Sequence, residues 1–364
     1  MTKKTRRIFI ASLAILGCVG VTAGALCYGG VYDNWRDDQA MSRACDGVLP
    51  QGEIKQLLGS EHLREDARPK SAEELLTSCR LRVSDDKDPY GTISVTVGWS
   101  GGASDLLLHL DRQVTYSGTS MLSPIGNGWR GVLNATTPAN PKATVVLSCD
   151  NKKNDSLVVQ ADAFSVDSYG MSKPDQQARF ARFTTGTAKA AAAKWGCKTA
   201  LGRKVRNLPM PLPTRRAEPL PARQAKGTCA GLAPDTPVVE TGTSPDAPVE
   251  DCFVNKRRDE LARPGNDHGS RQYRLAAYYG PFVNAALTET SNSDRINGPS
   301  GSSDGVRWIT VDCPTRQGGT ALFTIESIAD VKRSPSLNIK HERAALKAFA
   351  TKSAARHGCQ QPQY

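Results

Sequence analysis

The fold is set by the stretch Val145-Val-Leu-Ser-Cys149 and by the way the chain continues from it. A second strand-like run follows, and then a helical run that ends Ala193-Lys-Trp-Gly-Cys197. The same order recurs near the C-terminus, from Ile309-Thr-Val-Asp-Cys313 to Ala355-Arg-His-Gly-Cys359. The two cysteine spacings, 48 and 46 residues, nearly coincide. The sequence therefore predicts two tandem copies of one small domain that carries disulfide bonds.

The pattern around these stretches predicts an α+β fold for each repeat, with an opening helix, a mostly antiparallel sheet and a closing helix. Alternating apolar residues predict half-buried strands. In the first repeat these are residues 78–83, 92–99, 128–134, 143–149 and 156–164, with a short helix at 105–112 and the closing helix at 176–195. In the second repeat they are residues 272–279, 307–313 and 320–328, with the closing helix at 341–357. The Ser, Asn and Gly-rich loop 290–305 is predicted to be mobile.

Both repeats open on a C-x-G-Φ-x-P pattern, where Φ is aliphatic: Cys45-Asp-Gly-Val-Leu-Pro50 and Cys229-Ala-Gly-Leu-Ala-Pro234. After the first opening, an amphipathic pattern predicts a short helix that stops at Gly59. Its buried face would consist of Ile54, Leu57 and Leu58. In the second repeat Pro237 interrupts the equivalent stretch, so that helix is expected to be shorter or distorted.

Eight cysteines lie outside the apolar N-terminal run, four in each repeat. An even count in an exported chain favours disulfide bonds. Four cysteines allow three pairings per repeat, and sequential pairing is preferred because it keeps each bridge within one supersecondary unit. The expected bonds are Cys45–Cys79, Cys149–Cys197, Cys229–Cys252 and Cys313–Cys359. A zinc site is disfavoured, since the chain has no C-x-x-C pair and no histidine at ligand spacing from a cysteine.

The opening of the first repeat resembles a known group of proteins. Its run Cys45-x-x-x-Leu49-Pro50-x-x-Glu53-Ile54-x-x-Leu57-Leu58-Gly59 is followed by Ser78-Cys-Arg-Leu81. This is similar to actinobacterial lipoproteins and membrane-anchored domains of unknown function, which begin C-x-L-L-[ST]-x-x-E-[VA]-x-x-L-L-G and continue to C-x-W. Here Leu81 replaces the tryptophan. The resemblance implies an extracytoplasmic α/β domain and does not imply any particular activity.

Residues 8–32 form an uncharged apolar run, IFIASLAILGCVGVTAGALCYGGVY. About 20 such residues suffice to cross the hydrocarbon core as a helix. The basic tail 1–7 precedes the run and Asp33 follows it. The positive-inside rule then places the N-terminus in the cytoplasm and the rest of the chain outside. The sequence therefore predicts a single-pass anchor in the cell membrane.

Two alternatives for the N-terminal run also place the bulk of the protein outside the cytoplasm. The stretch Thr5-Arg-Arg-Ile-Phe-Ile10 resembles a twin-arginine export signal, and Ala23-Gly-Ala25 is a small-x-small cleavage site. Lipidation at Cys18 is the other alternative. The bulky Leu16 and the apolar run beyond Cys18 make that a poor lipobox.

The net charge of +11 is confined to two segments. Residues 1–7 contribute +4, and residues 198–228 contribute +7 from eight basic residues against Glu218, so the rest of the chain is neutral. Nucleic-acid binding requires cations on a folded face, and this distribution argues against it. The prolines between residues 207 and 221 predict a semi-extended spacer. That spacer is either a solvated linker or a contact for anionic headgroups or wall polymer.

Candidate chemistry is sparse. The stretch Gly98-Trp-Ser100-Gly-Gly102 matches the G-x-S-x-G nucleophile pattern after a strand. The second repeat has Tyr279-Gly-Pro-Phe282 there, so a Gly-rich hairpin turn is the preferred interpretation. None of the histidines has metal or catalytic spacing: His62, His109, His268, His341 and His357. His357 stands where the first repeat has Trp195, which predicts a packing role at a helix end.

These observations predict a non-enzymatic binding or interaction protein of a bacterial cell envelope, with no cofactor. Its bilayer contact is residues 8–32, and its ligand or envelope partner would meet the space between the repeats or the polar loops 150–155 and 292–305. The alternatives are a sensory or assembly subunit that docks through its membrane helix, and a secreted serine hydrolase that uses Ser100. The expected boundaries are a tail 1–7, anchor 8–32, juxtamembrane linker 33–44, repeats 45–197 and 229–359, linker 198–228 and tail 360–364.

Overall fold

A computed structural model gives the fold of most of the chain beyond residue 38. It describes residues 39, 41–59, 63–66, 75–83, 91–103, 106–107, 121–134, 141–152, 155–164, 173–212, 217–255, 271–288, 296–303, 305–314, 318–328 and 339–363. The predicted tail 1–7 and anchor 8–32 lie outside these ranges. Within them, none of the helices is both long enough and apolar enough to cross a membrane.

The first repeat forms a seven-stranded antiparallel sheet in the order β1-β2-β3-β7-β6-β5-β4. The strands are β1 (Leu63–Glu65), β2 (Leu75–Val83), β3 (Thr92–Trp99), β4 (Leu122–Gly126), β5 (Trp129–Asn134), β6 (Lys142–Ser148) and β7 (Ser156–Phe164). Helices α1 (Gln51–Leu58) and α2 (Pro174–Lys194) cover one face. Ile54 from α1 and Phe180 and Phe183 from α2 are fully buried against the apolar side of the strands.

The second repeat forms another seven-stranded antiparallel sheet, in the order β12-β13-β14-β11-β10-β9-β8. The strands are β8 (Leu220–Pro221), β9 (Pro237–Glu240), β10 (Val249–Asn255), β11 (Arg271–Tyr279), β12 (Ser300–Ser303), β13 (Val306–Asp312) and β14 (Thr320–Ser327). Helix α4 (Ile339–His357) covers one face, where it buries Leu346 and Phe349. The short helix α3 (Pro281–Thr288) follows β11 and packs on the opposite face.

The two sheets share the topology of their central strands, which supports the interpretation as a tandem repeat, although the meander has four strands in the first sheet and three in the second. In each, a central hairpin (β2–β3 or β10–β11) is followed by a meander whose last strand (β7 or β14) returns to pair with the hairpin. The cysteines form the expected sequential bonds: Cys45–Cys79, Cys149–Cys197, Cys229–Cys252 and Cys313–Cys359. One bond per repeat joins the opening segment to the hairpin, and the other joins the meander to the end of the closing helix.

The faces of the two sheets that point away from α2 and α4 meet in one buried cluster. Val146 and Val158 of the first sheet lie in it together with Tyr278, Trp308 and Leu322 of the second. The described part of the molecule is therefore layered as helix, sheet, sheet and helix. A sheet whose two faces are both covered buries more apolar area than one with a solvated face, so each repeat contributes to the core of the other.

Most of the predicted elements are confirmed to within a few residues. The strands predicted at 92–99 and 156–164 are β3 and β7, and the closing helices are α2 and α4. The opening helix of the first repeat is α1, with Gly59 in the left-handed conformation directly after it. The short helix predicted at 105–112 falls almost wholly outside the described residues.

Two local predictions are wrong. The second repeat has no opening helix in residues 229–248, because Pro237 begins strand β9, and proline is tolerated as the first residue of a strand. The stretch 290–305 is not a loop throughout its described part, since residues 300–303 form β12, which pairs with β13. Gly301 lies so close to the Trp308 ring that an added Cβ would be 2.3 Å from it.

Candidate functional site

A cleft of about 750 Å³ lies between the two repeats. The first repeat lines it with the end of β6, the loop that follows and the turn after β3, and the second lines it with the start of α3 and the segment before β14. Its polar lining residues are Ser100, Arg130, Ser148, Lys152, Asp155, Asn284 and Thr320, and the glycines Gly280, Gly318 and Gly319 also line it. Two of the locations expected from the sequence, the inter-repeat space and the loop 150–155, therefore coincide in one site.

Ser100 sits in a turn that Asp155 holds in place. Its Oγ donates a hydrogen bond to Asp155 Oδ1 at 2.8 Å and accepts one from the Ser156 N–H at 3.0 Å. The Gly101 N–H also donates to Asp155 Oδ1, at 3.3 Å. The Gly-rich turn is thus confirmed, but it is not a hairpin, since β3 pairs only with β2 and β7.

A serine nucleophile needs an adjacent base that can take its proton. No histidine is present among the described residues that line the cleft, and Asp155 is engaged with two backbone N–H groups as well as with Ser100. His62, His109 and His268 lie outside the described residues. The geometry around Ser100 is that of a turn fixed by Asp155.

Two cations face the cleft. Arg130 on β5 donates from Nη1 to Ser148 Oγ at 3.2 Å. Burial lowers the pKa of the Arg130 guanidinium, and the negative charge of Asp246 in the second repeat opposes that shift. Lys152 is exposed, and its Nζ lies 5.1 Å from the centre of the Trp99 ring. Arg130 thus links the repeats electrostatically, and Lys152 offers its charge at the rim.

The segment that joins the repeats is not a detached spacer. Its first part, residues 198–212, is here termed the docked segment, because it lies along the first repeat. Val205 and Leu212 are buried there, and the Leu212 N–H donates to Gln177 Oε1 at 3.0 Å. The solvated spacer expected from the prolines is wrong for these residues. The further part 217–228 contains β8, an edge strand of the second sheet.

Docking of this segment alters the argument about its charge. Lys198, Arg203, Lys204 and Arg206 are exposed on the folded surface of the first repeat rather than on a free tether. The argument against nucleic acid assumed that these cations lie off the folded face, and that premise is incorrect. Anionic partners must therefore be judged from the chemistry of the surface itself.

A buried polar cluster lies under α4 and is termed the Glu250 cluster: Glu250, Tyr279, Ser353, Arg356 and His357. The Glu250 carboxylate accepts from Ser353 Oγ at 2.7 Å and from Arg356 Nη2 at 2.6 Å, and contacts His357 Nε2 at 3.3 Å. The Tyr279 and His357 rings stack with centroids 3.7 Å apart. The packing role expected for His357 is present, with a carboxylate partner that the sequence did not indicate.

The charge of this cluster is set by its hydrogen bonds. Burial by itself raises the pKa of the Glu250 carboxyl, but His357 and Arg356 outweigh burial and lower it to about 2. Burial and the nearby Glu250 charge raise the pKa of the Tyr279 hydroxyl well above its ordinary value. Glu250, Tyr279 and His357 are all at most 1% exposed. The cluster therefore stabilises the second repeat from within and is not part of the cleft.

One group of potential metal ligands occurs in the described ranges: Cys45, Glu65 and Cys79, whose ligand atoms lie within 4.8 Å of one another. The two sulfurs are bonded to each other, so neither is a thiolate. A lone carboxylate does not make a structural metal site. Glu65 instead accepts a hydrogen bond from the Cys45 N–H at 3.5 Å.

The sequence did not reveal the second wall of the cleft. Helix α3 is short and follows a Gly-Pro step, which reads as a turn. Gly318 was not singled out, although an added Cβ there would lie 2.4 Å from the Gly280 Cα. The one available signal was the pair of glycines at 318–319, since glycine is favoured where two backbones approach closely.

Comparison with protein-family models, curated proteins and solved structures found no significant match to this chain.

Proposed function

We propose that the protein is a membrane-anchored, extracytoplasmic and non-enzymatic binding protein of a bacterial cell envelope. Its ligand would occupy the inter-repeat cleft. The observation that carries this proposal is that both repeats build the walls of one cleft of about 750 Å³. That volume lies within the range of about 300–1,000 Å³ that is usual for small-molecule sites.

The chemistry of the cleft suits a polar ligand. The hydroxyls of Ser148 and Thr320 and the ammonium of Lys152 can orient such a ligand. The glycine backbones at 280 and 318–319 allow close approach. The N-terminal anchor at 8–32 and the resemblance of the first opening to envelope proteins support an extracytoplasmic location. The disulfide bonds fit the same location, since they persist in oxidising compartments.

A site-specific photo-crosslinking experiment tests the proposal. A benzophenone amino acid at Thr320, in the cleft, is introduced into the full-length protein in its native envelope. We expect a discrete covalent adduct between the protein and its ligand. The yield of this adduct should fall when Lys152 is replaced by Ala and should be unchanged when Ser100 is replaced by Ala. The same amino acid at the exposed Lys189 on α2 is the control. Equal adducts from both positions, or none from Thr320, would contradict a ligand in the cleft.

A further inference from the structure

The docked segment carries a row of uncompensated cations. Lys198, Arg203, Lys204 and Arg206 are exposed, and none of them forms an ion pair with another described residue. The sequence holds no aspartate or glutamate between Asp175 and Glu218. The nine residues from Lys198 to Arg206 span at most about 28 Å when the backbone is fully extended.

Backbone hydrogen bonds fix this row on the folded surface. The Arg203 N–H donates to the Asn127 carbonyl at 2.8 Å, and the Arg203 carbonyl accepts from Trp129 Nε1 at 2.8 Å. Further along, the Val205 carbonyl accepts from Arg182 Nη1 at 3.3 Å. The side chains of Arg203 and its neighbours are thus presented by a backbone that is already ordered, which lowers the entropic cost of binding.

The row begins at the rim of the cleft. The Lys198 N–H donates to Asn151 Oδ1 at 2.9 Å, and its carbonyl accepts from the Asp150 N–H at 2.7 Å. Asn151 is next to Lys152, which lines the cleft. Exposed cations therefore run from Lys152 over Lys198 to Arg206, and the exposed Asp150 lies beside Lys198.

From this continuity we propose that the ligand is a linear polyanion, a polymer with repeating phosphate or carboxylate groups. One segment of it would enter the cleft at Lys152 and the adjoining units would lie along the docked segment. This inference rests on the proposed function and names the class of its ligand. Neutralising a polyanion with several fixed cations releases counterions and makes the affinity depend steeply on salt.

Two other anionic partners fit the surface less well. A flat membrane surface cannot follow the track into the cleft, although the 40% exposed Leu201 beside Lys198 could contact lipid. Single-stranded nucleic acid is usually held by aromatic side chains on which its bases stack. Residues 198–212 contain no aromatic residue. The experiment described next includes conditions that would detect binding of either of these partners.

Binding is measured with the full-length protein in nanodiscs of zwitterionic lipid, so that the bilayer adds no net charge. The probes are polyphosphate, polygalacturonate, neutral dextran and single-stranded DNA. We expect polyphosphate or polygalacturonate to bind and dextran not to bind, and the better of the two identifies the anionic group. Arg203→Glu with Lys204→Glu should weaken binding at least about tenfold. Each cation removed should reduce the slope of log affinity against log salt by about one.

Matched variants make the result specific. Arg343→Glu with Lys352→Glu reverses two exposed cations on α4 and should leave polymer binding unchanged. Lys152→Ala should weaken it several-fold, as required if the cleft takes one segment. An unchanged melting temperature for the Arg203/Lys204 variant establishes that it is folded.

Several results would overturn the inference. They are polymer binding that survives reversal at Arg203 and Lys204, binding indifferent to Lys152→Ala, tighter binding of single-stranded DNA than of either polymer, or binding of neither polymer. Protection of residues 198–212 from hydrogen exchange only in anionic nanodiscs would make the surface a membrane contact instead. If polymer binding fails while the Thr320 adduct persists, the proposed cleft function stands and only the ligand class is wrong.

Discussion

The Glu250 cluster shows how single residues differentiate two copies of one scaffold. Where the second repeat has Tyr279 and His357, the first has Trp99 and Trp195, which are partly buried and pack against its core. The indole N–H of a partly buried tryptophan can reach water, whereas a fully buried tyrosine and histidine need polar partners within the protein. Glu250 contacts His357 directly, and Ser353, which donates to Glu250, is the hydrogen-bond partner of the Tyr279 hydroxyl. The second repeat is therefore stabilised at this place by charge and hydrogen bonding, where the first uses apolar contact.

Replacing Glu250 with Gln should destabilise the protein by about 3 kcal/mol, because removal of one partner leaves the buried His357 and the half-buried Arg356 without their anion. Urea unfolding under non-reducing conditions measures this change. Asp235→Asn is the control, since Asp235 is 73% exposed beside Arg223 and a surface pair contributes at most about 1 kcal/mol. If Glu250→Gln lowered the free energy of unfolding no more than Asp235→Asn does, the stabilising role assigned to Glu250 would be contradicted.

The Glu250 carboxyl also predicts a dependence of stability on pH. Its pKa is about 2 in the folded protein against an ordinary 4.5. A group whose pKa is lower in the folded state contributes stability above its unfolded value and loses it as the pH falls through the folded one. The stability difference between the native protein and Glu250→Gln should therefore shrink as the pH falls from 4.5 to 2. Urea titrations across that range measure it, and a difference that grows would refute the prediction.

At the scale of elements, the docked segment departs most from what its sequence suggests. Its prolines and cations are typical of a solvated spacer, yet the spacing of Val205, Leu208 and Leu212 lets it pack on the first repeat. Gly202 permits the contact, because an added Cβ would lie 2.4 Å from the Trp129 ring. Docking therefore depends on the absence of a side chain at Gly202 as well as on the apolar residues.

Gly202→Ala should loosen the docked segment. We expect a loss of about 1–3 kcal/mol in unfolding free energy from overpacking, and faster hydrogen exchange at the Arg203 amide. Gly52→Ala is the control, since that helical position has nothing within 4 Å of an added Cβ. It should gain up to about 1 kcal/mol. Unchanged exchange at Arg203 in Gly202→Ala would show that the ring contact does not hold the segment.

The same scale shows what sequence patterns could and could not predict. Long alternating strands such as β3 and β7, and the closing helices with their Gly-Cys ends, were predictable because their periodicity is local. Strand β10 was missed because Glu250 and Asp251 interrupt its apolar run. Both acids are fully buried, and their partners come from distant elements. The edge strands β8 and β12 are too short for a periodic signal.

At the scale of the whole molecule, the two repeats form one core, and Asp251 joins them. Its carboxylate pairs with Arg274 at 2.8 Å within the second sheet and accepts a hydrogen bond from the Leu122 N–H of the first sheet at 2.9 Å. Asp251 is fully buried and Arg274 is 3% exposed. The cleft depends on this junction, because its walls come from both repeats. Periodicity within each repeat contains no signal for such a contact.

Asp251→Ala should uncouple the repeats. It leaves Arg274 buried without this anion and the Leu122 N–H without this acceptor, which costs about 3–5 kcal/mol. Calorimetry should show one transition for the native protein and two for the variant. Asp66→Ala, which removes the half-exposed partner of Arg82, should preserve a single transition. A single transition at an unchanged temperature in Asp251→Ala would contradict coupling through this residue.

The sequential disulfide bonds have a consequence for how the chain is made. For a polypeptide delivered N-terminus first through a translocation channel, the native partner of Cys45, Cys149, Cys229 and Cys313 is in each case the next cysteine to emerge. Oxidation in order of appearance therefore produces the native connectivity without reshuffling. The first repeat can complete both of its bonds before Cys229 leaves the channel. Biogenesis of such a chain would require an oxidant but no isomerase.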